Sequence, residues 1–362
     1  MNNTQNTYAH LQTLADGRAR RIDGVKGQPA TWHLWKNAEI NAITLALAAG
    51  RPLLVRGEPG TGNSQLARAA ASALGWALHT ATLHVRSEPQ DLLYQFDAVR
   101  RLADAQANNL KDENRYWQPQ ALWKALDWDS AHDYGALLLA RENGNKPPAP
   151  PGHVVLIDEI DKAPSDVPNG LLEVLGARCF EIPGIPLLVS PQAAVGDGAQ
   201  AGNWPLVIIT TNEERDLPDA FLRRCMVLTH DVEADGNYGG FLLRHGRAHF
   251  GPNRDGLDHH RDATIDETLL QRAADKLVED RKAAQRAQLA VPGLAEYLDL
   301  LYALHDLAPG ESAKQGQWLD KLYQYAYRKN RIDGDAPSPL RQQHAADVDV
   351  SGQPGQPGQP ET

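Results

Sequence analysis

Cysteine is scarce in this chain. There are two in 362 residues, Cys179 and Cys225. Each is flanked by apolar neighbours, so both read as core thiols in a reducing compartment rather than as a disulfide framework. Long hydrophobic runs are missing as well: no window approaches the roughly 18 apolar residues of a membrane-spanning helix. The opening stretch, Met1 to Asn6, is polar and lacks the apolar core of a signal peptide, which makes the cytoplasm the expected location. Basic residues are outnumbered, 36 Lys and Arg against 46 Asp and Glu, for a net charge of −10. A general nucleic-acid-binding surface is therefore not indicated. No Ser-His-Asp or Cys-His arrangement has supporting local context. What is present is ample apolar material, 42% of residues, and a length that suits two domains, three counting tails.

The chain is organised around Gly57-Glu58-Pro59-Gly60-Thr61-Gly62-Asn63-Ser64. The apolar run Pro52–Val55 before it reads as a buried strand. The segment Gln65–Leu74 after it reads as a helix stopped by Gly75. Strand, glycine-rich turn and helix form the context of a phosphate-binding loop, in which successive backbone N–H groups and a helix N-terminus face an anion. Against the template G-x-x-x-x-G-K-[ST], Gly57, Gly62 and Ser64 match, and Asn63 stands where the lysine belongs. Asparagine donates hydrogen bonds but carries no charge to set against the β- and γ-phosphates. On this stretch alone the competing reading is a plain Gly-rich turn.

Further along, Asn37–Ala49 suits a buried helix ended by Gly50. Trp76–Val85 reads as a second strand, a helix is expected from about Asp91 to Ala107, and a shorter one over Tyr116–Leu126. The proline-rich segment Asn143–Gly152 is a loop. His153-Val154-Val155-Leu156-Ile157 is a buried parallel strand that delivers Asp158 and Glu159 at its C-terminal end, the end at which open α/β sheets bind ligands. A helix over Asn169–Ala177 and a hairpin across Pro183-Gly184-Ile185 follow. Leu206–Asn212 is another buried strand, Asp219–Arg224 a short helix and Met226–His230 a final strand. Beyond about Asp235 the pattern turns helical, over Tyr238–Phe250, Ile265–Leu289, Leu294–Leu307 and Gln317–Lys329. From Ile332 the apolar pattern is lost, and three Gly-Gln-Pro triplets indicate a disordered tail. The expected division is an N-terminal arm to residue 29, a nucleotide-binding core over 30–234, a helical lid over 235–331 and the tail over 332–362.

An apolar strand running into two carboxylates is a Walker B pattern. Mg²⁺ bridging nucleotide phosphates needs a carboxylate, and an attacking water needs a base. Asp158 suits the metal and Glu159 the water. Asn212, ending the next strand, can hold the water or the γ-phosphate, or it can be a strand-end turn residue. Together with Asp216–Arg224 and the run Ile157-Asp158-Glu159-Ile160-Asp161-Lys162-Ala163, this set resembles an AAA+ ATPase over roughly residues 30 to 310. More narrowly it resembles the MoxR-like, dynein-related branch. The resemblance implies a P-loop NTPase αβα core with a five-stranded parallel sheet, a small C-terminal helical lid, and a ring, usually a hexamer, that hydrolyses ATP with Mg²⁺ at subunit interfaces.

It further implies that Gly57, Pro59, Gly60, Thr61, Gly62, Asn63, Ser64, Gln65 and Asp158 hold ATP. Ser64 and Asp158 hold the metal, Glu159 activates water, Asn212 is sensor 1, and Arg224 is the arginine finger, with Arg223 as fallback. The partner that the resemblance implies is a protein to be remodelled or activated, one with a von Willebrand A or similar adaptor domain. Two family features depart from the pattern: the loop lysine is absent, and no sensor 2 arginine begins the helix near Val291–Leu298. Arg341 is a substitute by sequence, and Arg56 or Arg68 could swing in only if they do not point away from the loop. The alternative function is a hydrolysis-deficient nucleotide-binding scaffold. His245 and His249, four apart on a helix, have a spacing that could chelate zinc, but surface histidines are the commoner case. His259-His260 reads as a solvated pair in a charged loop.

Overall fold

The computed structural model describes residues 3–24, 29–58, 60–145, 147–191, 204–230, 237–250 and 265–328. An opening helix, Asn3–Gln12, leads into a strand Ala19–Ile22 paired antiparallel with Thr31–Leu34. The polar composition of this region hides its anchors: Leu11 and Leu14 are buried against the core, and Arg20 is bonded to Asp16. Then come helix α1 (Asn37–Ala49), strand β1 (Leu53–Arg56), helix α2 (Asn63–Leu74) and strand β2 (Ala77–Thr82). After an excursion the chain returns as β3 (His153–Asp158), helix α3 (Asp166–Ala177), β4 (Leu206–Thr211) and β5 (Met226–Thr229). Four helices complete the described chain: α4 (Tyr238–Phe250), α5 (Glu267–Arg286), α6 (Leu294–Leu307) and α7 (Ser312–Tyr327).

The five strands β1 to β5 form one parallel sheet in the order β5-β1-β4-β3-β2. This is the P-loop NTPase arrangement expected from the sequence. Alternation along the strands divides the core into two layers, because successive side chains face opposite sides. Leu53, Val55, Val154, Leu156, Leu206 and Ile208 pack with α1 and α2. Leu54, Val155, Ile157, Val207 and Ile209 pack on the other face with α3 and the helix Ala121–Leu126. Register aligns the C-terminal ends: Thr211 lies opposite Arg56, Thr229 opposite Arg56, and Thr82 opposite Asp158. β4 sits between β1 and β3, so whatever leaves β1 meets whatever leaves β3 across it.

The excursion between β2 and β3 differs from the sequence expectation. A 3₁₀ turn, Pro89–Leu92, replaces the start of the expected long helix. Tyr94–Phe96 is a strand paired antiparallel with Trp117–Pro119. Only Ala98–Gln106 is helical, and the second expected helix begins at Ala121. The hairpin over Phe180–Ile182 and Ile185–Val189 is present. Helices α4 to α7 enclose their own core around Leu270, Leu277, Tyr297 and Leu301. The Gly-Gln-Pro tail, Arg341 and His259-His260 lie outside the described residues.

Candidate functional site

β1 ends at Arg56, and the loop that follows closes on Gly62, the left-handed N-cap of α2 (φ 99°). No side chain caps this helix and no acid lies in its first turn. Its N-terminus therefore keeps the positive end of the helix dipole toward the loop. Gly57 is required by space: a Cβ there would lie 2.9 Å from Asn63 Oδ1 and 3.0 Å from both Thr61 Oγ1 and His230 Cβ. Gly60 takes φ 80°, a conformation that favours glycine. Thr61 Oγ1 donates to Glu58 O at 2.7 Å and tightens the turn.

Position 63 is built into the loop rather than left open. Asn63 is 7% exposed. Its Nδ2 donates to Gly57 O at 3.0 Å, and its Oδ1 lies 3.2 Å from Thr61 Oγ1 and 3.0 Å from His230 Nδ1. Behind His230 stands Glu39, 3% exposed, with Oε1 3.2 Å from His230 Nε2 and Oε2 3.2 Å from His33 Nε2. Burial works against the Glu39 carboxylate, but the two histidines outweigh it and hold its pKa far below the ordinary range.

Ser64 and Asp158 meet, although 94 residues apart: Ser64 Oγ donates to Asp158 Oδ1 at 2.6 Å. Thr210 Oγ1 donates to the same oxygen at 2.6 Å and accepts from Glu159 N–H at 2.9 Å. Glu159 follows the strand in a left-handed conformation (φ 59°, ψ 53°). Asp158 is thus the last residue of the strand, and a sharp turn at Glu159 follows it. Strained non-glycine backbone of this kind costs on the order of 1–3 kcal/mol and concentrates at functional sites. Its carboxylate is bonded to Lys162 Nζ at 2.7 Å, which raises the Lys162 pKa.

Besides His230 and Glu39, sequence reasoning misses Thr210, Asp161 and Arg281. Thr210 reads only as strand. Asp161, 2% exposed, accepts the N–H groups of Asn212 (3.2 Å) and Glu214 (2.9 Å) and so fixes the exit of β4 beside Glu159. Arg281, from α5, is 4% exposed; it reaches Glu58 Oε2 at 2.5 Å and Pro292 O at 3.1 Å, with its guanidinium 4.4 Å from the Tyr238 ring centre. A signal existed for Asp161, three residues after Asp158, but none for Arg281, whose role depends on how α5 packs.

Other expected residues are placed differently. The Gln65 side chain turns to the N-terminal hairpin, donating to Trp32 O at 2.7 Å. Pro59 lies outside the described residues. The expected helix Asp219–Arg224 ends at Leu222, so Arg224 lies in the turn after it, exposed and donating to Ala220 O at 3.3 Å. Arg56 faces Glu213 at 3.6 Å, and Arg68 donates to Pro29 O at 3.2 Å, both away from the loop. His245 bonds Phe241 O and His249 bonds Tyr302 Oη, which commits both rings within the helical unit. Between the loop, the hairpin and the helical unit runs a crevice bounded by Trp32, Thr61, Gln65, Phe241 and Leu294.

A search of curated proteins finds no match. Among solved structures, RuvB from Thermotoga maritima, a Holliday junction branch migration motor, superposes with a TM-score of 0.39 at 15% identity, over 80% of this chain and 70% of that one. A point variant of the same RuvB gives 0.38 at 14%, over 78% and 67%. A candidate ATPase from Cytophaga hutchinsonii gives 0.33 at 12%, over 96% and 95%. Residues 52–225 match the model of the AAA domain, dynein-related subfamily. Over that span, from the loop strand to the residue before β5, the chain is similar to the AAA domain of the dynein-related subfamily.

Proposed function

We propose that the chain binds ATP with Mg²⁺ and hydrolyses it, as a MoxR-like AAA+ ATPase that remodels or activates a partner protein. The observation that carries this reading is the meeting of Ser64, Asp158 and Thr210 at one end of the sheet, beside an uncapped helix N-terminus. A hydroxyl and a carboxylate oxygen 2.6 Å apart form a hard-oxygen donor set, which suits Mg²⁺. Ser64 and Asp158 would hold the ion, which supplies charge neutralisation to the phosphates when bound.

The remaining chemistry belongs to the chain. Backbone N–H groups from Gly60 to Ser64 bind phosphate oxygens. Glu159 accepts a proton from the attacking water once its carboxylate is free of Lys162. Asn212, pinned through Asp161, orients that water. Arg224, exposed in the turn after the short helix Asp219–Leu222, suits a role in a neighbouring subunit's site within a homo-oligomeric ring, a hexamer by resemblance. A von Willebrand A domain is the proposed partner module, and the cytoplasm the proposed location.

The test is binding and steady-state hydrolysis of ATP by the full chain with and without Mg²⁺, beside Glu159→Gln and Ser64→Ala. Tight binding with turnover lost in Glu159→Gln supports the reading. Absence of nucleotide binding in all three overturns it. A second reading, a scaffold that binds ATP and does not hydrolyse it, is favoured by Asn63 and by the Glu159–Lys162 pair. Measured binding without turnover in the parent chain would select it.

A further inference from the structure

We propose that His230 is a positioning residue for the phosphate loop, and that it carries beneath the loop the positive charge a lysine at position 63 would bring. This rests on the reading of the loop as a nucleotide phosphate site. An amide oxygen only accepts, so the 3.0 Å contact between His230 Nδ1 and Asn63 Oδ1 places a proton on Nδ1. The other ring nitrogen, Nε2, lies 3.2 Å from the Glu39 carboxylate, at ion-pair distance though off the hydrogen-bond line. With the Nδ1 proton in place, a bare Nε2 lone pair would lie 3.2 Å from the Glu39 carboxylate, and the imidazolium form removes that repulsion.

The placement is set by the sheet. His230 N–H donates to Arg56 O at 2.7 Å, continuing the β5–β1 pairing by one step and bringing the ring under Gly57. The other cations near the loop also have partners: Arg56 faces Glu213, Arg68 donates to Pro29 O, Arg281 holds Glu58 of the loop itself, and Lys162 holds Glu159; what sets His230 apart from these four is its contact with Asn63. Lys36 Nζ lies over the Phe241 ring. A charged donor on Oδ1 also polarises the whole Asn63 amide, which strengthens Nδ2–H as a donor. In this structure Nδ2 bonds Gly57 O. Turned to a phosphate oxygen, it would deliver the hydrogen bond while His230 supplies the charge.

The experiment measures affinity for ATP and for adenosine, by calorimetry on the full chain with Mg²⁺, in the parent, His230→Ala, Asn63→Lys and the double variant. His230→Ala is expected to weaken ATP about tenfold or more, on the scale of one charge-assisted contact, and adenosine far less. Asn63→Lys is expected to recover ATP affinity in the His230→Ala background, and to gain less in the parent, where lysine meets a like charge. If His230→Ala does not fold, His230→Gln keeps a donor without charge and is read in its place, with the same expected direction. Unchanged ATP affinity, equal losses for ATP and adenosine, or no recovery by lysine in a folded double variant would each overturn the proposal. A parent chain that binds no ATP would instead overturn the nucleotide reading on which it rests.

Discussion

Glu159 leaves β3 in a left-handed turn with its carboxylate on Lys162. Replacing it with glutamine should keep ATP bound while lowering turnover by about a hundredfold or more, the usual scale for a lost general base; single-turnover assays at saturating ATP read this directly. Asp161 acts on Asn212 and Glu214 through their backbone. Asp161→Ala should cost about 2 kcal/mol in unfolding free energy, because two N–H groups lose their acceptor, and should lower turnover more than ATP affinity. A third residue-scale effect concerns acid. Burial pushes the pKa of His153 down to about 4, and burial together with the neighbouring His153 and Lys124 pushes His79 down to about 3. The two rings contact each other at 3.0 Å. The unfolded chain therefore binds more protons below about pH 6.5, so stability should fall as pH drops from there toward 4. Denaturant titrations at stepped pH would show it, and His79→Gln should flatten the slope. The loop, Asp158 and Glu159 were legible in sequence because each is a local pattern. Thr210, His230 and Glu39 were not, because their roles arise from registers between strands far apart in the chain.

Elements show the same division between local and non-local information. Helices α4 and α6 match their sequence-read bounds, since their apolar stripes and end signals are local. Tyr94–Phe96 reads as helix by itself and becomes strand because Trp117–Pro119 pairs with it, a partner that no local window contains. The link between the helical unit and the loop is of this non-local kind. Arg281 is buried and bonded to Glu58, while Ala295 Cβ stands 3.3 Å from where a Cβ on Gly60 would be. Glu58→Gln leaves a buried guanidinium without its carboxylate. Hydrogen exchange over residues 293–298 should then quicken by roughly tenfold, given that Glu58 is half exposed and part of its pairing is screened. Unchanged exchange would mean that Pro292 O and the Tyr238 ring hold Arg281 without help.

At the scale of the whole molecule, a five-stranded sheet with both faces covered follows from runs such as Val154–Ile157 and Leu206–Ile209, apolar at every position. Truncation in its middle strand, Ile208→Ala, should cost about 2–5 kcal/mol by chemical denaturation. Assembly is the other property of this scale. If Arg224 completes a neighbour's site, mass-resolved measurements should show larger particles with ATP than without, and Arg224→Ala should lose turnover while binding ATP as the parent does. Mixing Arg224→Ala with Glu159→Gln should then restore part of the turnover, since each subunit supplies what the other lacks. Identical activity of the mixture and its separate components would remove Arg224 from that role. The crevice itself has a practical consequence. Trp32 borders it and shares a hydrogen bond with Gln65 of the helix that follows the loop, whereas Trp35, Trp117 and Trp123 are buried in the core. The molecule thus carries one of its eight tryptophans at the edge of its own cleft, and the part of the intrinsic fluorescence that Trp32→Phe removes offers a dye-free optical record of whatever enters.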